Sequence, residues 1–315
     1  MSIKIYMQNV NVAWYNGKLI PIQDAKINIL SPCAQFGTNI FEGIRGYWND
    51  KQQELYCFRL DRHYKRLKES AKIMRFEMTY GDADFKDALF DVLKANQFKE
   101  DIQIRHIVFI DGSGSWYSTG PVGMFVYAKP GNRSFGGKRG IDCCVSSWER
   151  INDASMPPRI KAGSNYQNSR MVQLEAVANG YDSAIILNKF NKVSEGPGSC
   201  IFMVRNNQLV TPPVTAGILE SVTRDTIMEL AESELNIKVC EREIDRTELY
   251  VAEEVFLCGT AMEITPVLNI DKIPVGNKEP GSITNELFKT YFQIVRGERN
   301  DHMDWLTPVY GKMTI

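Results

Sequence analysis

The segment RIKAGSNYQNSRM, from Arg159 to Met171, places a lysine among small residues directly before a helix-like pattern. Lysine is mostly found on protein surfaces, so Lys161 taken alone is interpreted as a solvated charge. That interpretation changes only if other residues converge on the same chemistry. Acids, phosphate-binding elements and basic clusters elsewhere in the chain are the features that decide it.

A phosphate-binding element is predicted in ESVTRDTIMELAESEL, residues 220–235. A helix that begins near Val222 would present free backbone N–H groups and a positive dipole end, with the Thr223 hydroxyl beside them. The alternative is a serine or threonine that only caps the helix, which is the commoner role of such a residue. The segment alone leaves both roles open.

Three other segments carry polar residues whose role is equally open. Glu195 lies among small residues in VSEGPGS, where an acid can serve simply as a turn residue, and GTAME (259–263) can be an ordinary hairpin turn. The segment LDRHYKRLKES carries basic residues on one predicted helix, a pattern that usually marks a solvated face. These residues are Arg62, His63, Lys65, Arg66 and Lys68.

Two glycine clusters fail the nucleotide-binding patterns. In DGSGSWYSTG the glycines at 112, 114 and 120 miss the G-x-G-x-x-G spacing, and in SEGPGSCIF an isoleucine stands at 201, where the third glycine belongs. The sequence therefore predicts neither a dinucleotide-binding Rossmann site nor a P-loop.

The cysteines and histidines do not indicate a metal site or a disulfide framework. Seven cysteines without a C-x-x-C spacing are typical of reduced, mostly buried thiols. The three histidines, His63, His106 and His302, are far apart and lack the spacing of metal motifs. We expect no metal.

The charge balance argues against polyanionic partners. The 315 residues include 37 Lys and Arg against 38 Asp and Glu, a net charge of −1. No overall positive field exists that would favour nucleic acid or an anionic membrane surface. No apolar run approaches the roughly 18 residues of a membrane span, and the N-terminus lacks the apolar core of a signal peptide. The expected location is the cytoplasm.

The hydrophobic pattern predicts an α+β fold of two domains. The first part predicts strands at ELYCFRL, IQIRHIVFI and GMFVYAK, and helices with apolar residues at Leu60 to Met74 and Phe85 to Leu93. The segment PGNRSFGGKRG lacks periodicity and predicts an interdomain linker. We predict domains at residues 1–130 and 141–315, with the linker at 131–140.

The second part mixes strands and helices without strict alternation, which favours α+β over a doubly wound sheet. Strands are predicted at IDCCVSSW and DSAIILN, on either side of a helix from Asn165 to Asn179 that Gly180 ends. Further on, we expect two strands around the turn RNNQ, a helix with Ile227, Leu230, Ala231 and Leu235 on one face, two strands about a turn at Gly259 to Ala261, and a helix near Ile283 to Val295.

Taken together, these segments resemble, in order as well as in content, the branched-chain amino acid aminotransferases of the pyridoxal-phosphate class called fold type IV. The resemblance covers nearly the whole chain and implies an α+β fold with the active site between two domains. It is carried by FGTNIFEGIRGY (36–47), HYKRL (63–67), IRHIVF (104–109), VSSWER (145–150), KAGSNY (161–166), SEGPGSCIF (194–202), SVTRD (221–225), GTAMEITPV (259–267) and a DW-L ending.

The resemblance implies that Lys161 attaches covalently to the aldehyde of pyridoxal phosphate and then moves the proton between Cα and C4′. Small neighbours would let the cofactor approach. Glu195 then faces the pyridine nitrogen, where a carboxylate keeps the ring protonated. Tyr166 matches the tyrosine that meets the cofactor's 3′ oxygen. The residues that match the phosphate site are Arg66, Val222, Thr223 and Thr260.

The resemblance also implies a substrate site for an amino acid and a 2-oxo acid. Arg105 matches the arginine that binds glutamate's distal carboxylate, and Gln103 lies on the same face of the predicted strand. We therefore expect glutamate as the amino donor. The full set expected to contact substrate is Phe36, Phe41, Gly43, Gln103, Arg105, Thr260 and Ala261.

The side-chain pocket departs from the pattern of bacterial members of this family. Those members often have a tyrosine at the positions of Gln103 and Phe36, and a Trp and a Tyr where this linker reads GNRSFG, with Asn132 and Arg133. A buried polar group without a partner costs roughly 1–3 kcal/mol, which disfavours a purely aliphatic substrate beside Gln103.

Two substrate classes therefore stay open. One is the housekeeping set of leucine, isoleucine and valine, and the other is a larger or more polar 2-oxo acid of a specialised pathway. A third hypothesis is a cofactor-free binding or structural protein on the same scaffold, against which the intact Lys161, Glu195, Arg66 and Thr223 argue. The resemblance further implies a homodimer or a higher homo-oligomer.

Overall fold

The computed structural model describes residues 11–131 and 139–311. The described residues form two compact units, one made of residues 11–131, 160–164 and 294–311, and the other of 139–159 and 165–293. Most of the predicted linker, including Asn132 and Arg133, lies outside the described residues. The linker at 131–140 and its role in dividing the chain stay a prediction.

The first unit is built on an antiparallel sheet that has seven strands among the described residues. The strands are β1 (Val12–Tyr15), β2 (Lys18–Pro21), β3 (Asn39–Asn49), β4 (Glu54–Phe58), β5 (Ile102–Ile110), β6 (Val122–Pro130) and β15 (Leu306–Pro308). Their order in the sheet is β15-β4-β3-β5-β6-β1-β2. The predicted strands at ELYCFRL, IQIRHIVFI and GMFVYAK are confirmed.

One face of this sheet is covered by helices α2 (Leu60–Ile73) and α3 (Asp82–Asn96). Side chains alternate along a strand, so Ile102 and Ile104 of β5 pack into that core while Gln103 and Arg105 lie on the other face and are half-buried. A short helix, α1 (Pro32–Phe36), precedes β3. The helices predicted from periodicity are therefore confirmed, and the pattern of β5 places Gln103 and Arg105 together as expected.

Two segments beyond the linker belong to the first unit. The segment 160–164 pairs with the start of β3 through an Ile40–Ala162 bridge, and β15 pairs with β4. Both lie in the stretch 141–315 that the sequence pattern predicts as one domain. Backbone pairing with distant strands joins them to the first unit, and such pairing leaves no periodic signal in the segments themselves.

The second unit is built on a mixed sheet. Its strands are β7 (Ile141–Glu149), β8 (Ser183–Leu187), β9 (Cys200–Arg205), β10 (Gln208–Thr211), β11 (Val239–Glu241), β12 (Glu254–Gly259), β13 (Glu263–Ile270) and β14 (Ile273–Pro274). Their order in the sheet is β11-β10-β9-β12-β13-β7-β8, and β14 pairs with β13. Helix α4 (Tyr166–Ala178) packs on β7 and β8, α5 (Val222–Ser233) packs on β12, and α6 (Ser282–Val295) follows β14. The α+β class is confirmed.

Local details differ from expectation at two places. Leu235 is not on the face of α5, because the helix ends at Ser233 and Asn236 takes a left-handed conformation. The turn between β12 and β13 falls at residues 260–262, one residue later than predicted. In contrast, the turn at RNNQ is confirmed: Asn206 and Asn207 both have positive φ (52° and 59°), as a two-residue hairpin turn requires. None of the helices described is long and apolar enough to cross a membrane.

Candidate active site

Lys161 is fixed to the sheet of the first unit through its backbone. Its N–H donates to the hydroxyl of Ser70 on α2 (3.2 Å), and its carbonyl accepts from the N–H of Phe41 on β3 (3.0 Å). Its ammonium lies 5.0 Å from the centre of the Phe41 ring. Lys161 is half-buried and held by two regular elements, so it is not an ordinary solvated surface lysine.

The same phenyl ring contacts a second cation. The guanidinium carbon of Arg105 lies 4.8 Å from the centre of the Phe41 ring. Arg105 pairs across the strands with Gly43, and a Cβ at Gly43 would lie only 3.1 Å from an Arg105 guanidinium nitrogen. The glycine therefore leaves room for Arg105 to lie along β3, and the structure brings together Lys161, Phe41, Gly43 and Arg105.

Arg66 is held by a buried acid that the sequence analysis does not single out. The Glu42 carboxylate accepts from Arg66 Nε (2.8 Å) and from a terminal Arg66 nitrogen (2.7 Å), and it also contacts His63 Nδ1 at 2.7 Å. Arg66 is therefore not part of a solvated basic face, whereas Lys68 is 46% exposed and pairs with Asp82 on the surface. The sequence signal that could have revealed Glu42 is its position as an acid within the strand-forming EGIR motif.

Charge pairing decides the protonation of this cluster. Burial alone would raise the pKa of Glu42, but Arg66 and His63 together hold that pKa well below its usual range. Burial lowers the pKa of His63, with the charges of Arg66 and Lys161 adding to the effect against the attraction of Glu42. The cluster therefore keeps a permanent ion pair between Glu42 and Arg66.

Gln103 and Phe36 lie on two different elements of the first unit, β5 and α1. Gln103 is on the same face as Arg105, but its cross-strand neighbours are Arg45 and Lys129 rather than Phe41. Phe36 is the last residue of α1 and is 49% exposed. Their contact with substrate stays a prediction.

In the second unit, Glu195 is buried and both of its carboxylate oxygens are bound. One oxygen pairs with a terminal nitrogen of Arg150 at 2.6 Å. The other accepts from the backbone N–H of Leu219 at 3.1 Å. Glu195 is thus a fixed carboxylate and not the simple turn residue that its sequence context allows.

Tyr166 and Thr260 lie near the segment that carries Glu195. A Cβ at Gly198 would lie 4.0 Å from the Tyr166 ring, and a Cβ at Gly259 would lie 3.4 Å from the Gly198 carbonyl oxygen. Gly259 directly precedes Thr260 and the half-exposed turn that includes Ala261. Tyr166, the segment at 195–199 and this turn are therefore neighbours within the second unit.

The N-terminus of α5 completes this set. Ser221 caps the helix, and its hydroxyl accepts from the N–H of Arg224 (3.3 Å). The Ser221 hydroxyl accepts only from Arg224, the third residue of α5. The N–H groups of Val222 and Thr223, the first two residues, have no helical turn before them that could supply an acceptor. Val222 and Thr223 are buried, and Leu219, just upstream, bonds Glu195. The predicted start at Val222 is confirmed, and capping alone does not use all of its donors.

These residues fit pyridoxal phosphate by the chemistry of their donors. A fixed amine is needed for the aldehyde, a carboxylate for the pyridine nitrogen, and a cation and helix N–H groups for the phosphate. Lys161 and Arg66 supply the amine and the cation, while Glu195 and the first turn of α5 supply the rest. Each set is preassembled within its own unit by hydrogen bonds and ion pairs of the chain itself.

Comparison with known proteins identifies the class. A family model described as amino-transferase class IV matches residues 39–270. This match covers more than half of the chain, so the chain belongs to the class IV aminotransferase family. Its α+β fold is that of fold type IV aminotransferases, and the matched region includes Lys161 and Glu195.

Individual relatives show to which kind of aminotransferase the chain is similar. A probable branched-chain-amino-acid aminotransferase of Aquifex aeolicus is 39% identical over 308 residues, which cover 96% of this chain and 98% of the relative. The branched-chain amino acid aminotransferase of Thermobaculum terrenum, solved in its PLP form, is 41% identical with a TM-score of 0.90, covering 96% of this chain and 99% of that one. The branched-chain aminotransferase of Thermoproteus uzoniensis, solved with norvaline, is 40% identical with a TM-score of 0.90, covering 95% of this chain and 99% of that one.

Proposed function

We propose that this protein is a pyridoxal-phosphate-dependent aminotransferase of branched-chain L-amino acids. It transfers the amino group of glutamate to the 2-oxo acids that correspond to leucine, isoleucine and valine. The observation that carries the proposal is the placement of Lys161 and Arg105 at one phenyl ring, Phe41. This placement lets the Lys161 amine react while the Arg105 guanidinium binds a carboxylate of the same small substrate. The relatives named above support the branched-chain class; the specialised 2-oxo acid and the cofactor-free protein have no comparable support.

Lys161 has two tasks in this reaction. With the cofactor bound, its Nζ would hold the aldehyde, and the same amine would act as the base and acid for the proton of the substrate Cα. Pyridoxal phosphate, when bound, supplies the electron-withdrawing ring that stabilises negative charge at the substrate Cα. The backbone bonds to Ser70 and Phe41 hold the main chain of Lys161 in place, so that the amine at the end of its side chain stays within reach of the substrate.

Glu195, Tyr166 and Arg66 position and charge the cofactor. The Glu195 carboxylate is fixed by Arg150 and Leu219, and it would keep the pyridine nitrogen of the bound cofactor protonated. The hydroxyl of Tyr166 would contact the 3′ oxygen of the cofactor. Arg66, which Glu42 orients, would bind the phosphate, and the first turn of α5 with Thr223 and Thr260 would contribute further donors.

Substrate recognition rests on Arg105 and the face of β3. Arg105 binds the distal carboxylate of glutamate through charge-assisted hydrogen bonds. Phe41 and Gly43 border the space beside it, and Ala261 in the β12–β13 turn contributes a small side chain. Gln103 and Phe36 shape the part of the pocket that selects the substrate side chain.

The test of this function is an amino-acceptor screen with glutamate as donor. The 2-oxo acids of leucine, isoleucine and valine should have the highest kcat/KM, and Gln103→Tyr should raise these values by restoring an aromatic wall. A polar 2-oxo acid that exceeds all three would contradict the branched-chain assignment while leaving the aminotransferase class intact. The homodimer and the cytoplasmic location that the sequence analysis expects are kept as proposals, and the dimer is checked by light scattering of the holoenzyme.

A further inference from the structure

Arg150 is a buried arginine whose guanidinium is bound on three sides. It follows β7, and its backbone N–H donates to Leu187 at the end of β8 (2.9 Å). Nε donates to the carbonyl of Gly217 (3.2 Å), one terminal nitrogen donates to Asn168 Oδ1 (3.4 Å), and the other lies 2.6 Å from Glu195 Oε1. These three bonds orient the guanidinium, so that one of its nitrogens is directed at Glu195.

The partners of Arg150 are themselves constrained. Asn168, on α4, donates its side-chain amide to the carbonyl of Glu149, the residue before Arg150. Gly217 has a φ of +86°, a conformation that favours glycine, and a Cβ there would lie 3.2 Å from the Ile151 carbonyl oxygen and 3.7 Å from Arg150 Cγ. A helix, a strand end and a glycine turn therefore converge on one guanidinium.

Glu195 is held equally firmly from its other side. Its second oxygen accepts from Leu219 N–H at 3.1 Å and faces the Cys200 thiol at 3.9 Å. The side chains of Arg150 and Glu195 are each 6% exposed, so water screens their attraction little. Removing the cation would leave the buried Glu195 carboxylate without the ion pair at 2.6 Å, a change that favours its protonation.

We propose that Arg150 is a positioning residue that keeps Glu195 ionised and in one orientation, so that the carboxylate can hold a proton on the pyridine nitrogen. Arg150 acts through Glu195 and does not itself react. This inference rests on the proposed function, since it assumes that Glu195 faces that nitrogen. The inference adds that the Glu195 carboxylate alone does not keep the pyridine nitrogen protonated, and that the Arg150 guanidinium keeps this carboxylate charged.

The test uses the holoenzyme and two variants of one position. Arg150→Met removes the charge but keeps much of the side-chain volume, whereas Arg150→Lys keeps the charge with fewer hydrogen bonds. The readouts are the visible absorbance of bound cofactor titrated from pH 5 to pH 9, and kcat and KM measured separately. Arg242→Met, which removes another ion-paired arginine of the same unit (its partner is Glu248), is the matched control.

We expect Arg150→Met to move the acid limb of kcat, and the matching absorbance transition, upward by about one pH unit, which is tenfold in the ratio of protonation states. KM for glutamate should stay within about threefold, because Arg150 does not touch substrate. Arg150→Lys should recover most of the shift, and Arg242→Met should behave like the parent enzyme. Unchanged titrations in both Arg150 variants would overturn the proposal.

The double variant Glu195→Gln with Arg150→Met separates this inference from the function on which it rests. When residue 195 can no longer ionise, the loss of Arg150 should add no further shift to the absorbance transition, whereas additive shifts would overturn the inference. Glu195→Gln alone decides the assignment of Glu195: if it leaves the spectrum unchanged, the proposed role of Glu195 fails first. If Arg150→Met does not fold, Arg150→Lys still tests the proposal, because it keeps the positive charge. A folded lysine variant that lacks the absorbance transition of the parent enzyme would contradict a role based on charge.

Discussion

The backbone carbonyl of Lys161 accepts a hydrogen bond from the N–H of Phe41 at 3.0 Å, while the lysine ammonium lies over the ring of the same phenylalanine. The reacting amine is thus tied twice to one residue of β3. Because β3 also carries Glu42 and Gly43 on alternating faces, this strand contacts the lysine and the Arg105 guanidinium on one face and holds the Arg66 guanidinium on the other.

Arg66→Ala should weaken retention of pyridoxal phosphate at least about tenfold, because it deletes a charge-assisted bond to the phosphate and leaves Glu42 buried without its main partner. The dissociation constant is measured by equilibrium dialysis of the cofactor. Lys68→Ala is the control, since Lys68 lies on the same helix and is 46% exposed. Equal losses in both variants would show that the helix contributes only diffuse positive charge.

Gly43→Ala should raise KM for glutamate by a few-fold, on the order of 1 kcal/mol, because the new Cβ would lie 3.1 Å from an Arg105 nitrogen and push the guanidinium aside. The free energy of unfolding should change little, since the far end of a flexible side chain can move. Steady-state kinetics with glutamate and with leucine decide the matter. A parallel rise for both donors would mean that the added methyl group blocks the site instead of displacing Arg105.

Stability should depend on pH through His106, which is fully buried and whose pKa burial lowers from 6.5 to about 3, against the attraction of Glu42. The unfolded chain binds a proton on this histidine below pH 6.5 while the folded chain does not. Its contribution is therefore complete above pH 6.5 and is lost as the pH falls toward 3, at about 1.4 kcal/mol per pH unit.

Replacing this histidine tests the sign directly. His106→Leu removes the proton-binding group and should flatten the dependence of unfolding free energy on pH between 6 and 4, even if the variant is less stable at pH 7. Urea unfolding at several pH values gives the slopes. Parallel slopes for the two proteins would show that His106 is not a source of acid sensitivity.

Glu195→Gln should lower kcat far more than it lowers cofactor affinity, because the amide keeps the size of the side chain but removes the charge that holds the pyridine proton. Arg150 would then face an uncharged partner at the position of its 2.6 Å ion pair. Stopped-flow absorbance and cofactor dialysis separate the two effects. An unchanged kcat would show that a residue other than Glu195 holds the proton of the pyridine nitrogen.

The sequence alone predicts features that depend on local pattern. The start of α5 at Val222 follows from the residues at its first turn, and the alternation of β5 places Gln103 and Arg105 on one face. The role of Lys161, by contrast, comes only from the resemblance, because nothing local distinguishes this lysine from a surface charge. The pairing of residues 160–164 with β3 supplies the missing context.

Buried ion pairs between distant segments could not be predicted in this way. Glu42 and Arg66 are 24 residues apart, and Arg150 is far in sequence from Glu195, so neither pair has a periodic signature. Each acid is compatible with several local roles until its partner is known. Long-range pairing also explains why β15 belongs to the first unit although it lies in the stretch predicted as the C-terminal domain.

The covalent role of Lys161 is tested most directly by reducing the holoenzyme with borohydride and mapping the modified lysine by mass spectrometry. Trypsin does not cut after a modified lysine, so the account predicts a phosphopyridoxyl group on the peptide of residues 160–170, and none on any peptide of the Lys161→Ala variant. That variant should fold and lose turnover. The label on a different lysine, or substantial transamination by Lys161→Ala, would contradict the account.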